Sequence, residues 1–264
     1  MMRRFVVFSL FILAFGFCAE AQEIDNSSDT IHIDEIVTYG DLRKYQSGAK
    51  IETISSAQIN LANEGGIENV LKRFSPIYIK SNAGGLSTIR FRGTSPNHTS
   101  INFGGINVNS LTLGHSNLSN IPTFLFDKIS LQYGSSSAVN GSGAIGGALY
   151  LGLSNNWTNG VKVSAKTTIG SFGEFLGGAK VFVGNGKLES VTRLFYYEKE
   201  NNFPFNNYYT GDVENPGAVR DIQHGASLKN MGLLQEINYK FNEKEFFKSS
   251  FWIENSWFQV QPNM

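Results

Sequence analysis

Alternation of apolar and polar residues decides the fold class, and it is plainest in the stretch VKVSAKTTI at residues 161–169. Valine, alanine, threonine or isoleucine occupies every odd position there, and lysine, serine or threonine every even one. The same alternation returns in MGLLQEINYKF at residues 231–241, and it continues through Phe247, Phe251, Ile253 and Trp257. Since successive side chains of a strand point to opposite faces, each run predicts a strand with one apolar face.

The predicted strands are long enough to cross a membrane, because a tilted strand needs about ten residues. A soluble β-sandwich also alternates, but the connections favour a barrel. Asn185-Gly186 and Asn242–Glu245 are tight turns, whereas residues 201–226 form a long connection rich in Asn. Short turns at one end and a long loop at the other are typical of outer-membrane barrels. The third strand, Leu188–Glu198, fits less well, since Arg193 and Leu194 suggest no clean register.

The first residues predict export through a cleaved signal peptide. Arg3 and Arg4 are followed by the apolar run Phe5–Ala19 and by the small residues of Ala19-Glu20-Ala21. This run is shorter than the roughly twenty residues of a membrane-spanning helix. A lipoprotein signal at Cys18 is the weaker alternative, because bulky Phe17 precedes it. We therefore expect a mature protein that begins at Gln22 and has no cysteine.

A mixed segment separates the export signal from the long strands. Helical spacing of Ile67, Val70, Leu71 and Phe74 predicts one amphipathic helix that ends before Pro76. Short strands are predicted at residues 77–80, 88–92, 100–103 and 129–133. The expected organisation is a signal peptide (1–21), a disordered segment (22–43), a mixed domain (44–155) and membrane strands (156–264). The fold class is therefore an α+β domain followed by the first antiparallel strands of an incomplete transmembrane β-barrel.

Catalysis and nucleic-acid binding find no support in the sequence. The 22 basic and 22 acidic residues cancel, so no strong field attracts nucleic acid. The G-x-G-x-x-G match at residues 141–146 is followed by a further strand-like run and lacks the nearby acid that a dinucleotide site would require. Four separated histidines predict no metal site, and no nucleophile elbow or close carboxylate pair occurs. We expect no enzyme and no cofactor.

The segment IHIDEIVTY at residues 31–39 permits two interpretations. It is rich in β-branched residues and ends at a glycine, so it could be an ordinary edge strand. It could also be an extended peptide that adds to the sheet of another protein. Base rates alone favour the edge strand.

An ordered series of motifs runs through residues 88–147. The series consists of TIRFRGT (88–94), GINVN (105–109), Ile121-Pro122, DKI (127–129), YGSSSAVNG (133–141) and GAIGG (143–147). It resembles the plug of TonB-dependent outer-membrane receptors, and most of all the vitamin B12 receptor type, over about residues 50–155. Three positions depart from the usual pattern: Gly104 replaces the Asp of Asp-Gly, Ser135 replaces a proline, and Ile77 replaces the glycine after Pro76.

The resemblance implies energy-coupled uptake of a scarce nutrient, either a corrinoid such as vitamin B12 or an iron–siderophore, across the outer membrane. It implies a plug inside a lipid-embedded barrel, and it reverses the preference for residues 31–39. A coupling (TonB) box then binds a TonB-type inner-membrane energy transducer through Asp34, Glu35, Ile36, Val37, Thr38 and Tyr39.

Apical plug loops at residues 82–86, 95–99 and 114–118 are the expected ligand contacts, although ordinary solvated turns would look alike. The candidate residues are Asn82, Gly85, Asn97, His98, His115, Ser116 and Asn117. A secreted β-rich adhesin or binding module is the alternative of another class. About five strands are too few for a plugged barrel of about 22, so we expect the N-terminal part of a longer receptor.

Overall fold

The structure, a computed structural model, describes residues 48–62, 65–81, 85–207, 219–243 and 245–259. The predicted signal peptide, the predicted coupling box at residues 34–39 and Asn82 lie outside the described residues. Within them the chain forms an α+β domain, which runs to about residue 153, and a second sheet of long strands, which we call the wall.

The α+β domain is built on one five-stranded sheet. Its strands are β1 (Lys50–Ile54), β4 (Thr99–Phe103), β5 (Ile106–Asn107), β6 (Lys128–Tyr133) and β7 (Gly147–Gly152). Their order is β1-β6-β7-β4-β5, with β4 and β7 parallel and the other pairs antiparallel. A separate hairpin joins β2 (Tyr78–Ser81) to β3 (Ser87–Arg90). The strands predicted at 77–80, 88–92, 100–103 and 129–133 are confirmed to within two residues.

Three helices accompany the sheet: α1 (Ser56–Ala62), α2 (Ile67–Phe74) and α3 (Ser137–Asn140). The helix predicted from periodicity is α2, whose Ile67, Val70 and Leu71 are fully buried. They join the core formed by the apolar residues of β6 and β7. The helix ends at Phe74, where the Ser75 backbone N–H donates to the Leu71 carbonyl, so the stop before Pro76 is confirmed.

The wall consists of five antiparallel strands in the order β14-β13-β10-β9-β8. Their bounds are β8 (Asn159–Gly170), β9 (Glu174–Asn185), β10 (Leu188–Lys199), β13 (Leu228–Lys240) and β14 (Phe246–Phe258). Each is 12 or 13 residues long. The long connection between β10 and β13 carries a hairpin that the sequence did not predict, formed by β11 (Pro204–Asn207) and β12 (Val219–Ile222).

One face of the wall packs on the α+β domain and the other is exposed. The exposed face carries the apolar series that the sequence alternation predicted, including Val161, Val163, Met231, Ile237, Phe251 and Ile253. Val181 and Val183 of β9, which the sequence analysis did not include, are exposed as well. The difficulty predicted for β10 was wrong. Arg193 points inward and is fully buried with acidic partners, while Leu194 points outward and is exposed. Adjacent residues of a strand face opposite sides, so both positions fit one register.

The turn between β4 and β5 explains why one departure from the motif pattern is tolerated. Gly104 and Gly105 both have positive φ, at 58° and 85°. A two-residue hairpin turn with positive φ at both positions accepts Gly-Gly as well as Asp-Gly. None of the helices in the described part of the chain is long and apolar enough to span a bilayer.

Candidate functional site

Hydrogen bonds tie the described parts of the three predicted ligand loops into one surface. The Asn97 Oδ1 atom lies 2.9 Å from His115 Nδ1, which links the 95–99 loop to the 114–118 loop. Asn109 strengthens this link, because its Nδ2 donates to the Thr99 carbonyl at 2.7 Å and to the Gly114 carbonyl at 3.2 Å. The structure therefore brings together loops that are about twenty residues apart in sequence.

Asn117 stabilises this surface through four hydrogen bonds of its side-chain amide. Its Oδ1 accepts the backbone N–H of Ser87 at 2.8 Å and that of Ser119 at 3.1 Å. Its Nδ2 donates to the Gly85 carbonyl at 3.0 Å and to Asn120 Oδ1 at 3.1 Å. The Asn117 side-chain amide thus accepts two hydrogen bonds and donates two. A ligand that formed a hydrogen bond with this amide would have to replace one of them.

His115 is held in one tautomer. Its Nδ1 lies 3.0 Å from the Leu113 carbonyl, which can only accept a hydrogen bond, so Nδ1 carries a proton. In the neutral ring Nε2 is then the acceptor. His98 is exposed on the short 3₁₀ turn Pro96–His98, and its carbonyl accepts the Gly146 N–H at 2.9 Å. Ser116 Oγ donates to the Val108 carbonyl at 2.9 Å. The hydroxyl proton of Ser116 is therefore used within the loop.

The same surface carries apolar residues that the sequence-based prediction omitted. Leu111 and Leu113 lie on the turn between Ser110 and Gly114, and both are strongly exposed. These two leucines could have been recognised from the sequence, because the other residues of the loop are polar or small. No group of three or more metal-ligating His, Cys, Asp or Glu side chains occurs among the described residues.

A buried ion network joins the α+β domain to the wall. Asp127, which precedes β6, accepts a hydrogen bond from Arg193 Nη2 at 2.7 Å and one from Lys180 Nζ at 2.9 Å. Arg193 Nη1 also donates to Glu236 Oε2 at 2.6 Å. The three wall residues come from β9, β10 and β13. The Asp127 carboxylate therefore pairs with two neighbouring wall strands directly and is linked to the third through Arg193.

Aromatic packing forms a second contact with the wall. Trp252 of β14 packs edge-to-face on Phe103 and on Phe126, with ring centroids 5.5 and 5.7 Å apart. Phe124 lies against Gly178 of β9, where a Cβ atom would come within 2.8 Å of the phenyl ring. Close approach of domain and wall therefore needs a residue without a side chain at this position.

The contacts also show which end of the wall the described part of one predicted ligand loop approaches. Gly85 and Ser87 line a cavity together with Phe203 and Leu228, at the end that carries the long connection. At the other end, Glu189 Oε2 accepts the backbone N–H groups of Asn156 and Trp157, close to the tight turns. Gly85, in the described part of the predicted ligand loop, and Ser87 thus lie at the end of the wall that carries the long connection.

Comparison with known proteins identifies the domain. The family model described as TonB-dependent Receptor Plug Domain matches residues 43–148. These residues form a plug domain of the kind found in TonB-dependent receptors. The resemblance inferred from the motif series is thereby confirmed, and so is the fold class of an α+β plug followed by antiparallel strands. Whether the seven candidate loop residues bind a ligand stays a prediction.

Two curated relatives are vitamin B12 transporters named BtuB. The protein of Vibrio vulnificus is 32% identical over 135 residues, which are 50% of this chain and 21% of the relative. That of Photobacterium profundum is 33% identical over 102 residues, 38% of this chain and 17% of the relative. The chain therefore spans about a fifth of the length of the curated relatives it matches.

Solved structures share the fold of plug and wall together. The copper transporter OprC superposes with a TM-score of 0.64 at 14% identity, covering 80% of this chain and 32% of OprC. The pyoverdine receptor FpvA of Pseudomonas aeruginosa gives a TM-score of 0.61 at 14% identity, covering 78% of this chain and 27% of FpvA. The coverage exceeds the plug, so the wall strands also match these structures.

Proposed function

We propose that the chain belongs to an outer-membrane receptor that imports a scarce nutrient, with energy from a TonB-type inner-membrane transducer. One observation carries the proposal: a plug domain packs on the inner face of a wall whose outer face is apolar over strands of 12 or 13 residues. Strands of this length and patterning suit a lipid bilayer. A receptor of this kind performs no bond chemistry, in keeping with transport rather than catalysis among its relatives.

The ligand class rests on the relatives and on the loop surface. Relatives named as vitamin B12 transporters favour a corrinoid, and the pyoverdine receptor keeps an iron–siderophore as the second candidate. The loop surface offers exposed Leu111 and Leu113 beside polar Asn97 and His115. Such a mixed surface suits a large ligand with both apolar and hydrogen-bonding faces.

Coupling is proposed to occur through Asp34, Glu35, Ile36, Val37, Thr38 and Tyr39 as a strand added to the transducer. In the receptor that carries this chain, Ile36→Pro or Val37→Pro should abolish uptake and leave ligand binding at the cell surface intact. Proline removes a backbone donor and fixes φ, so the added strand cannot pair fully. Radiolabelled cyanocobalamin and ferric siderophores would serve as probes, and Thr30→Pro, outside the box, is the control.

A secreted β-rich adhesin is the second candidate function. It would be recovered in the medium, and its polypeptide would show no heat-modifiable mobility on gels. Recovery from outer membranes with heat-modifiable mobility supports the receptor. Unimpaired uptake by both proline variants would show that residues 34–39 are not the coupling box, without affecting the plug assignment.

A further inference from the structure

A polar cavity of about 300 Å³ lies between the plug and the wall. The plug side is formed by the first turns of α2, with Glu68, Asn69 and Lys72, and by the loop end of the β2–β3 hairpin. The wall side is formed by Lys199 and Asn201 at the end of β10, and by the start of β13. The ion network and the aromatic packing described above hold other parts of the plug–wall interface, so this cavity is a less closely packed part of it.

Glu68 is the group in this cavity that lacks a full set of partners. Glu68 is only 8% exposed, and its Oε2 atom accepts no hydrogen bond from the residues that the structure describes. The carboxylate folds over Gly66, where a Cβ atom would overlap it, and Gly65 lies directly against the Tyr197 ring of the wall. Burial of an ionised carboxylate without an ion pair is costly, so the charged state is disfavoured where α2 meets the wall.

The charges that face Glu68 only partly offset this cost. Lys72 lies on the same helix, and Lys199 faces it from β10, but Lys199 Nζ is 3.2 Å from Glu174 Oε2 and is shared with that carboxylate. The Tyr197 hydroxyl also donates to Glu174, at 3.1 Å. Burial therefore raises the pKa of Glu68 above its usual range, although its backbone N–H, Lys72, Ser119 and Lys199 act in the opposite direction.

We propose that Glu68 is a proton-binding site that couples the packing of α2 against the wall to the surrounding pH. A carboxyl group whose pKa is higher in the packed state than in the open state binds its proton more tightly when packed. The resulting stabilisation is fully present below the ordinary pKa of glutamic acid and is lost as the pH rises through the raised value. Above the raised pKa, ionised Glu68 weakens the packing of α2 against the wall.

Amide hydrogen exchange of the receptor that carries this chain, purified in detergent, tests the proposal. In Glu68→Gln, exchange of residues 67–74 should slow at neutral pH by up to about tenfold for each unit by which the pKa is raised. At about pH 4, below the ordinary pKa, variant and parent should exchange alike. Glu52→Gln is the matched control, because Glu52 is a plug carboxylate that already accepts the Tyr133 hydroxyl at 2.7 Å. It should not slow exchange in α2 at either pH.

Lys72→Gln supplies a second arm of the test. Loss of this cation should speed exchange in α2 at neutral pH, and it should have no such effect when Glu68→Gln is also present. Faster exchange in Glu68→Gln by the same factor at both pH values would overturn the proposal, since Glu68 would then be a purely structural residue. Equal effects of Lys72→Gln in both backgrounds would overturn it as well. Hydrogen exchange does not depend on uptake, so the result is independent of the proposed transport function.

Discussion

Neighbouring residues of one wall strand meet very different surroundings, and Gly177 and Gly178 of β9 show this directly. A Cβ at Gly178 would lie 2.8 Å from the Phe124 ring of the plug, whereas one at Gly177 would lie 3.4 Å from Phe175 on the outer face. We expect Gly178→Ala to destabilise the packed plug by about 1–3 kcal/mol through overpacking. Gly177→Ala is the matched control and should change stability little. Thermal unfolding in detergent measures both, and equal shifts would contradict the proposed close contact.

Replacement of Arg193 should destabilise the packing of the plug sheet on the wall. It is fully buried between Asp127 and Glu236, so Arg193→Met would leave Glu236 without its cation. Breaking a buried pair on one side typically costs about 3–5 kcal/mol. Lys229→Met is the control, because Lys229 lies 3.6 Å from Glu198 in an exposed pair worth about 0–1 kcal/mol. Denaturant unfolding should separate the two variants, and similar midpoints would argue against a stabilising network.

The elements were largely predictable from the sequence, since periodicity depends on neighbours along the chain. Helix α2 and the outward series of β8 and β13 follow from spacings of 3.6 and 2 residues. Strand β10 did not, because its inward face mixes the charged Glu189 and Arg193 with apolar residues, and the partners of these charges are distant. Arg193 meets Asp127 across 66 positions and Glu236 across 43. A local pattern cannot reveal a charge that is satisfied by another sheet.

The same limit applies to the candidate site. The three loops were predicted from motif order, and their clustering follows from sheet topology. Three features of the site depend on residues 18 to more than 100 positions apart in sequence. They are the Asn97–His115 contact, the hydrogen bonds of Asn117 and the cavity beside Glu68. Sequence spacing contains no information on such pairs, whereas the exposed Leu111 and Leu113 could have been noted from their loop position.

The outward face of β10 provides a test of the membrane orientation of the wall. Leu194 is exposed on the apolar face and pairs with Leu233 of β13 near the middle of both strands. If this face contacts lipid, Leu194→Arg should destabilise the wall by about 2–4 kcal/mol, because arginine is costly at the bilayer midplane. Leu194→Val keeps the surface apolar and is the control. The folded fraction in lipid vesicles, read from heat-modifiable mobility, would be unchanged by arginine if the face were solvated.

The whole molecule presents a sheet whose strands are unequally paired. Within the described residues, β10 lies between β9 and β13, whereas β8 pairs with β9 alone and β14 with β13 alone. Backbone groups without partners cost several kcal/mol each in hydrocarbon, so a sheet in lipid needs a neighbour on both sides of every strand. The plug cannot serve as that neighbour, because it packs on the face of the wall.

A polypeptide of these 264 residues alone should therefore fail to form a stable membrane protein. The edge strands would have to pair with other copies, which leads to aggregation, or remain solvated in detergent. Hydrogen exchange in detergent should then be slow in β10, where both edges are paired, and fast along the outer edges of β8 and β14. In a longer receptor whose further strands pair with β8 and β14, exchange in these two strands should slow to the level of β10. A stable, heat-modifiable monomer of the 264 residues with protected edge strands would show that pairing on both sides is not required.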